Sequence, residues 1–554
     1  MGQNICHLLP TQRPGPKLPV TLREKLMRDN QLPGRSPVHA TGAMAATSHP
    51  AATLAAIDMM RTGGNAIDAA ITAAAVLSVV EPHSTSIGGD CFALYTPSGG
   101  DVIAINGSGK APNGATVDWF QKQGLTSIDY QSPHAVVVPG CIAAWQKLSN
   151  DYGRKGLDAC LQPGIKFAEN GYPVHAVIAN AWENSADKLA TDENSRQIFL
   201  PNGSAPKAGD IHHQPALAKT LRTIADRGSI GFYQSETAER MVAYLRGKGG
   251  LHTLDDFAST KADYVEPIST DYRGYEIVEC PPNGQGIIAL EIFNILNGFD
   301  LPTLEPLGVE RLHIEAEATR LAFRDRAAFL ADPTQAEVPV DHLLSEDYAK
   351  GLRKSISMDR AMAELPTPGE TSHADTVYLT VVDEDRNAVS FINSIFHSFG
   401  SGLLDAQTGV LFNNRGASFV IDPHHPNCIA PKKRPMHTII PGMMRKNGRA
   451  IMPFGVMGGH YQPVGHVHFA TNILDYGMDV QEALDAPRAF AFANQLQVER
   501  GIQTKVVKGL RSLGHDVVQA ETPLGGGQAI EINWETGVLT GGSDPRKDGC
   551  ALGY

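Results

Sequence analysis

The hydrophobic pattern changes sharply near residue 365, and this change constrains the fold more than any other feature of the chain. Before it, residues 150–350 have apolar residues at helical spacing and charged helix faces. Gly and Pro residues lie between these segments, where one helix would end before the next begins. Residues 365–374 (LPTPGETSHA) are turn-rich. Thr376–Asp383 then predicts a strand, and after a turn Ala388–Ser394 predicts its hairpin partner. The remainder predicts further short strands and one helix near Val480–Ala486, so the chain is expected to be a layered α/β protein.

Two helices are predicted near the start of the chain. Pro50 suits a first helical turn and the pair Gly63-Gly64 suits its end. Asn65 can cap a second helix over Ala66–Val80, which is apolar nearly all round and should lie between layers. At 15 residues this run is shorter than the roughly 20 that a membrane span requires. The sequence therefore predicts a buried helix here and no membrane association.

Composition excludes several classes of protein. Hydrophobic residues make up 42% of the 554 residues and charged residues 19%, which favours a globular chain with a large core over a disordered one. The net charge of −12 argues against nucleic acid as a partner. Seven scattered cysteines without a CxxC pair predict reduced thiols, and the N-terminus lacks a signal-peptide core. We expect a cytoplasmic protein whose residues 1–38 form a loosely ordered extension.

A threonine at the start of a strand, directly after a turn-rich linker, has one specific chemical use. If the Asp375–Thr376 bond is cut, Thr376 gains a free α-amino group beside its own hydroxyl. An α-amine titrates near pH 7.7–8.0, so part of it is neutral at physiological pH and can act as a general base. The amine then activates the adjacent hydroxyl as a nucleophile. Spacing alone does not separate this hypothesis from simple β-propensity at a strand start.

An ordered series of motifs adds to this hypothesis. The motifs are Gly63–Ala69 (GGNAIDA), Ile87–Asp90 (IGGD), Val138–Gly140 (VPG), Asp375-Thr376, Val381–Asp383 (VVD), Phe399–Gly402 (FGSG), Asn413-Asn414, Gly458-Gly459 and Gly542–Arg546 (GSDPR). From about Ala40 to Tyr554, the chain resembles the gamma-glutamyltransferase family of N-terminal-nucleophile hydrolases.

This resemblance implies a four-layer αββα sandwich, made as a precursor that cleaves itself before the threonine. A helix-rich large subunit (residues 39–375) and a strand-rich small subunit (residues 376–554) would form one composite domain, as a heterodimer of the chain's own fragments. A dimer of these heterodimers is left open. The resemblance implies an amidohydrolase or acyltransferase that needs no cofactor or metal and whose partner is a small-molecule amide.

The resemblance also implies catalytic roles. Thr376 is expected to be the nucleophile and, through its α-amine, the base. Ser394 stands where the family has a threonine that orients the nucleophile. Gly458 and Gly459 match the pair whose N–H groups form the oxyanion hole, where glycine permits close backbone approach.

The substrate-binding positions depart from the family pattern. The glutamate-binding arginine is replaced by Ser108, and the aspartate that holds the substrate's ammonium is replaced by Ser418. The other positions are Arg415 after Asn414 in place of glutamine, Phe396 in place of asparagine, and His437-Thr438 in place of a Ser-Ser pair. A γ-glutamyl group loses its charged partners, whereas the new arginine favours an anion without an ammonium. We expect a small carboxylate-bearing, oxamate-like amide as substrate.

Alternatives remain open at this stage. The chain could be a true γ-glutamyltranspeptidase or glutathione hydrolase with re-sited binding residues, a glutaryl (cephalosporin) acylase, or a binding protein that no longer cleaves. Arg415 could pair with a carboxylate of its own layer, and His437 and His460 could be pocket walls or proton partners. The pairs His212-His213 and His424-His425 lack a nearby third ligand, so we expect exposed loops there and no metal site.

Overall fold

The structure, a computed structural model, describes residues 34–363 and 376–554. Its helices are α1 (Pro50–Arg61), α2 (Ala66–Val80), α3 (Val117–Lys122), α4 (Cys141–Tyr152), α5 (Leu157–Asn170), α6 (Ala176–Glu183), α7 (Ala186–Ala190), α8 (Glu193–Phe199), α9 (Pro215–Arg227), α10 (Ile230–Tyr233), α11 (Glu236–Gly247), α12 (Leu254–Ala258), α13 (Gly286–Leu296), α14 (Val309–Phe329), α15 (Val340–Leu343), α16 (Glu346–Arg353), α17 (Gln462–Leu474), α18 (Val480–Asp485) and α19 (Thr504–Ser512).

The strands follow the same chain order. They are β1 (Val38–Ala40), β2 (Met44–Thr47), β3 (Asp90–Thr96), β4 (Ile103–Gly107), β5 (Tyr172–Pro173), β6 (Ile211–His212), β7 (Asp263–Val265), β8 (Ile268–Tyr272), β9 (Tyr275–Glu279), β10 (Val377–Val382), β11 (Ala388–Ser394), β12 (Leu404–Asp405), β13 (Val410–Leu411), β14 (Gly442–Lys446), β15 (Arg449–Met457), β16 (Ala489–Phe492), β17 (Gln495–Val498), β18 (Val517–Gln519), β19 (Gly526–Ile532), β20 (Leu539–Ser543) and β21 (Cys550–Gly553).

Two seven-stranded sheets form the centre of the molecule. One has the order β1-β20-β19-β15-β14-β9-β8, and the other has the order β21-β2-β10-β11-β3-β4-β7. Each sheet contains strands from both sides of the expected cut before Thr376. Within the second sheet, β10 and β11 lie side by side and are flanked by β2 and β3, which precede the cut.

The two sheets pack face to face, and helices cover both outer faces. Between the sheets lies a buried layer that includes Phe92, Tyr378 and Met443. The helices α1, α2, α4, α5 and α9 join one hydrophobic core on the side of the β10–β11 sheet. The helices α13, α14, α17 and α18 join a second core on the side of the other sheet. This arrangement is the four-layer αββα sandwich expected from the sequence.

Several local predictions are confirmed. Helix α2 has the predicted bounds, Asn65 caps it, and all of its residues are buried. Strand β11 also has the predicted bounds and pairs with β10 in antiparallel register. The expectation of a single helix after residue 376 is wrong, because α17 and α19 flank the one predicted as α18. Helix α17 escapes detection because it is buried on nearly every face and carries Pro463 and Gly465.

The structure also bears on the expectations for the N-terminal extension, the cysteines and membrane-spanning helices. Residues 1–33 lie outside the described residues, and the boundary expected at residue 38 falls inside β1, where Val38 pairs with Gly541. The six cysteines from Cys91 onward are free thiols. Within the described ranges, no helix has both the length and the hydrophobicity that crossing a membrane would need.

Candidate active site

Thr376 and Ser394 face each other at the end of the hairpin remote from its turn. Thr376 directly precedes β10, and because Val377 pairs with Asn393, the threonine comes opposite Ser394 at the end of β11. Their hydroxyl oxygens are 3.1 Å apart, and both side chains are buried. The hairpin predicted from the sequence therefore brings the two expected catalytic hydroxyls into contact. Asp375, the other half of the expected cleavage bond, lies outside the described residues.

The Ser394 hydroxyl is the point where several groups meet. Its oxygen accepts hydrogen bonds from the Phe396 backbone N–H (2.9 Å) and from Nη2 of Arg415 (3.1 Å). Both of these partners can only donate, so the Ser394 oxygen is the acceptor in each contact. In the bond between the two hydroxyls, either oxygen can be the donor. The bond therefore holds Thr376 against a hydroxyl that Arg415 and the backbone keep in place.

Arg415 is fully buried and uses each of its three nitrogens. Nε contacts Asp90 at 3.3 Å, Nη1 donates to Thr438 Oγ1 at 2.8 Å, and Nη2 reaches Ser394. Its guanidinium also lies 4.3 Å from the ring centroid of Phe396. Burial lowers the pKa of Arg415 to about 10, so it stays charged at neutral pH. The carboxylate partner that the sequence left as an alternative is present, and it is Asp90.

Asp90 and His437 complete this buried network. Asp90 accepts the Gly109 N–H at 2.7 Å and lies 3.0 Å from Nε2 of His437. The other ring nitrogen of His437 accepts from the Ile439 N–H, which assigns the proton to Nε2. Burial and the charge of Arg415 lower the pKa of His437 to about 4.

The charge of Asp90 is stabilised by its partners. Burial acts to raise its pKa, but the hydrogen bond from His437 and the charge of Arg415 hold the pKa below its usual value. The sequence placed Asp90 only within the Ile87–Asp90 motif and did not identify this carboxylate as part of the site. The signal was an acidic residue at the first position of a buried strand, β3.

The Gly458-Gly459 pair forms the turn between β15 and α17. Its φ angles are +121° and +57°, in the left-handed region that favours glycine. A Cβ on Gly458 would lie 2.8 Å from the Cα of Gly525. Gln285 fixes the turn, because its Nε2 donates to the carbonyls of Gly459 (2.9 Å) and Thr438 (2.7 Å). Arg326 in turn donates to the Gln285 Oε1 atom, and sequence reasoning identified neither of these two side chains.

Phe396 carries backbone strain close to Thr376 and Ser394. Its φ is +81°, a region that bulky residues rarely adopt. The hydrogen bond from its N–H to Ser394 and the contact of its ring with Arg415 hold it there. The asparagine of the family pattern tolerates this region better. The strain therefore comes from the substitution of phenylalanine for the asparagine of the family pattern.

Three expected substrate residues bind the protein itself. Asn414 accepts the His397 N–H and donates to the Tyr130 carbonyl, and Ser418 donates to backbone carbonyls at positions 415 and 436. Ser108 accepts from Asn283. The contact network around Thr376 instead includes Ser394, Phe396, Arg415, His437 and Thr438. Asn414, Ser418 and Ser108 support the loops around this network.

The histidine pairs differ from expectation in one respect. His212 is buried among the rings of Tyr172, Trp182 and Phe199, so an exposed loop is wrong for this residue. His424 is exposed.

In the described part of the chain, one group of side chains has metal-ligand spacing. The ligand atoms of His313, Glu317 and His515 all lie within 4.8 Å of one another. The two rings are 2.7 Å apart, nitrogen to nitrogen, which is hydrogen-bond distance, and Arg320 neutralises Glu317. Glu317 and Arg320 also bond to the backbone at Met362. These contacts anchor the chain at Met362 and favour a structural role over a cation site.

Comparison with known proteins agrees with this geometry. The family model described as Gamma-glutamyltranspeptidase matches residues 52–554. The Glutathione hydrolase-like YwrD proenzyme of Bacillus subtilis (strain 168) is 36% identical over 526 residues, covering 93% of this chain and 98% of the relative. The Oxamate amidohydrolase proenzyme of Klebsiella pneumoniae subsp. pneumoniae is 34% identical over 529 residues, covering 93% and 99%.

A solved structure is similar over nearly its whole length. The cephalosporin acylase from Bacillus halodurans superposes with a TM-score of 0.89 at 40% identity, covering 96% of this chain and 99% of the acylase. The relatives named here are hydrolases or acylases, and two of them are named as proenzymes. This chain is therefore an enzyme of the gamma-glutamyltranspeptidase family of N-terminal-nucleophile hydrolases.

Proposed function

We propose that the chain is an autocatalytically processed amidohydrolase that transfers a small, carboxylate-bearing acyl group from an amide to water. The observation that carries this proposal is the contact between the Thr376 and Ser394 hydroxyls at the end of the hairpin. A nucleophile that begins a strand and is held by a second, fixed hydroxyl has the arrangement needed for attack once the bond before it is cut.

The reaction proceeds through an acyl-enzyme. The Thr376 oxygen attacks the amide carbonyl while its proton moves to the α-amine. The N–H groups of Gly458 and Gly459 hold the oxyanion, and Ser394 orients the nucleophile. The amine returns the proton to the departing nitrogen, and the ester remains on Thr376. Water, activated by the same amine, then releases the acid and regenerates the hydroxyl.

The buried network beside Thr376 supports a small anionic acyl group. Arg415 has five N–H hydrogens, and its three protein contacts use three of them. The remaining two can bind a carboxylate. Arg415, Thr438 and His437 are completely buried and bonded to one another or to shared partners, so a long acyl chain does not fit at this end. The relative named for oxamate has the corresponding substrate size.

The proposal is tested in two steps. A denaturing gel with N-terminal sequencing should show two fragments, the smaller one beginning Thr-Val-Tyr-Leu. Release of ammonia from oxamate is then compared with release of aniline from γ-glutamyl and glutaryl anilides. We expect oxamate to be cleaved at the highest kcat/KM. Cleavage of the γ-glutamyl anilide alone would contradict the substrate assignment, and an uncut 59.4 kDa chain after prolonged incubation would contradict the mechanism.

A further inference from the structure

An open cleft of about 670 Å³ borders the Gly458 turn. We call it the side cleft. Its floor includes Gly458, His460 and Phe492, and its walls are α6 on one side and residues 522–525 with Lys547 on the other. Helix α6 precedes the expected cut and the other wall follows it, so the side cleft lies between the two fragments.

The position of the side cleft matches the departing half of an amide. The acyl half is expected beside Arg415, where the side chains are fully buried and bonded to one another. The other half must then extend toward open space. Since Gly458 belongs both to the proposed oxyanion hole and to the floor of the side cleft, a group leaving the carbonyl carbon has this volume next to it.

Lys547 gives the side cleft a positive charge. Its ammonium forms no ion pair or hydrogen bond with the described residues, although the side chain is half-buried. Gly526 makes room for it, because a Cβ there would lie 2.7 Å from the Lys547 Cγ. The neighbouring Arg546 is neutralised by Glu499 and Asp544.

The nearest acidic group along the chain does not neutralise this charge. Asp548 accepts the backbone N–H of Val177 at the start of α6, which joins the two walls. Lys547 is therefore a positioned cation available to an anion in the side cleft.

The floor is aromatic and uncharged. The rings of His460 and Phe492 are stacked, with centroids 5.3 Å apart, and Phe490 packs against Phe492 at 5.2 Å. Burial and the charge of Arg326 hold the pKa of His460 well below its usual value, so the ring is neutral. Planar groups stack favourably on such a surface.

We propose that the side cleft binds the leaving amine and selects amines that carry a planar ring and a carboxylate, with Lys547 as the partner of that carboxylate. This inference rests on the proposed function and extends it: the full substrate is an N-aryl amide of a small dicarboxylic half-acid. Hydrolysis gives the diacid and the arylamine, with water supplying the hydroxyl of the acid and a hydrogen of the amine.

The first test compares three substrates with the same acyl group. These are oxamate, N-phenyloxamate and N-(4-carboxyphenyl)oxamate. For Lys547→Gln we expect KM to rise about tenfold for the carboxyphenyl substrate only, because a charge-assisted hydrogen bond is lost. Lys547→Arg should restore most of the effect. Lys505→Gln, the same change on the exposed face of α19, is the matched control. Equal KM changes for the phenyl and carboxyphenyl substrates would overturn the assignment.

A second readout does not depend on turnover. Titration calorimetry with 4-aminobenzoate should show binding to the wild-type protein, with about tenfold weaker binding to Lys547→Gln. If this difference is seen but no oxamate amide is cleaved, the acyl assignment fails and the side-cleft assignment stands. If oxamate is cleaved but 4-aminobenzoate does not bind, or binds both proteins equally, the side-cleft assignment is wrong and the proposed function stands.

Discussion

The hydroxyl oxygens of Thr376 and Ser394 lie 3.1 Å apart across the β10–β11 pair, one preceding the first strand and the other ending the second. Ordinary antiparallel register produces this contact. The proposed nucleophile is thus positioned by the sheet itself, and its neighbour Ser394 is fixed in turn by Arg415 and the Phe396 N–H.

Removing the Thr376 hydroxyl should abolish both processing and turnover. We expect Thr376→Ala to remain a single 59.4 kDa chain on a denaturing gel and to release no product from oxamate. Thr376→Ser keeps the hydroxyl and should still yield two fragments. Cutting of the alanine variant at the wild-type rate would show that another group attacks the bond.

Removing the Ser394 hydroxyl should slow the reaction without weakening substrate binding. We expect Ser394→Ala to lower kcat about tenfold, because one hydrogen bond of roughly 1–1.5 kcal/mol to the nucleophile is lost, with KM unchanged. Ser394→Thr should retain activity. Ser390→Ala removes a buried hydroxyl from the same strand, bonded to Tyr378, and serves as the control. A similar loss of kcat in the control would assign the effect to the strand as a whole.

Removing Arg415 should destabilise the fold as well as the site. Arg415→Gln leaves the buried Asp90 without its cation, and we expect a loss of about 3–5 kcal/mol in the free energy of unfolding. Urea denaturation of the uncut Thr376→Ala chain measures this loss. Asp90→Asn in the same chain should recover much of it. Arg445→Gln, which breaks ion pairs with the exposed Asp101 and the partly exposed Glu276, should cost no more than about 1 kcal/mol. Equal losses for the two arginines would contradict the role assigned to the buried pair.

Acid should weaken the folded chain partly through His437. Its pKa is about 4 when folded and 6.5 otherwise, so between these pH values the unfolded chain binds a proton that the folded chain does not. Stability therefore falls as pH drops from 6.5 toward 4, by up to about 1.4 kcal/mol per pH unit for this one group. His437→Gln should reduce the slope of unfolding free energy against pH by about that amount in the uncut chain. A substitution of the exposed His213 by glutamine should not, and an unchanged slope for His437→Gln would show that this ring titrates normally.

A methyl group on the Gly458 turn should disturb the oxyanion hole. In Gly458→Ala the new Cβ meets the Gly525 backbone at 2.8 Å, so the turn must shift. We expect kcat to fall by about 100-fold, the usual effect of misplacing one oxyanion donor. Gly448→Ala provides the control, because its φ is +77° but the space around it is open. Full activity of Gly458→Ala would remove the pair from the mechanism.

The sequence predicts the parts of this site that depend on local pattern. The bounds of α2 and β11 follow from a cap and an alternating run, and the hairpin leads directly to Thr376 and Ser394. Asp90 and Gln285 could not be found in this way. Asp90 meets Arg415 across 325 positions of sequence, and such contacts exist only once the sheets have formed.

The same distinction explains the other missed elements. Strands β7–β9 lie in the region whose pattern predicts helices. β7 pairs with β4 and β9 pairs with β14, which are distant in the chain, and β8 joins the sheet through its neighbour β9. Helix α17 has no polar face because neighbours cover it on nearly every side.

The interleaving of both sheets has a consequence for the life of the molecule. Each sheet combines hydrogen-bonded strands from before and after Thr376, so the fragments cannot separate without losing the central layers. The uncut chain supplies the connectivity that brings those strands together, and the proposed cut before Thr376 would remove that link. An unfolded mature enzyme would have to refold from two separate polypeptides, without the covalent connection that joins them in the precursor. Its persistence should therefore be governed by the rate of unfolding rather than by a reversible equilibrium.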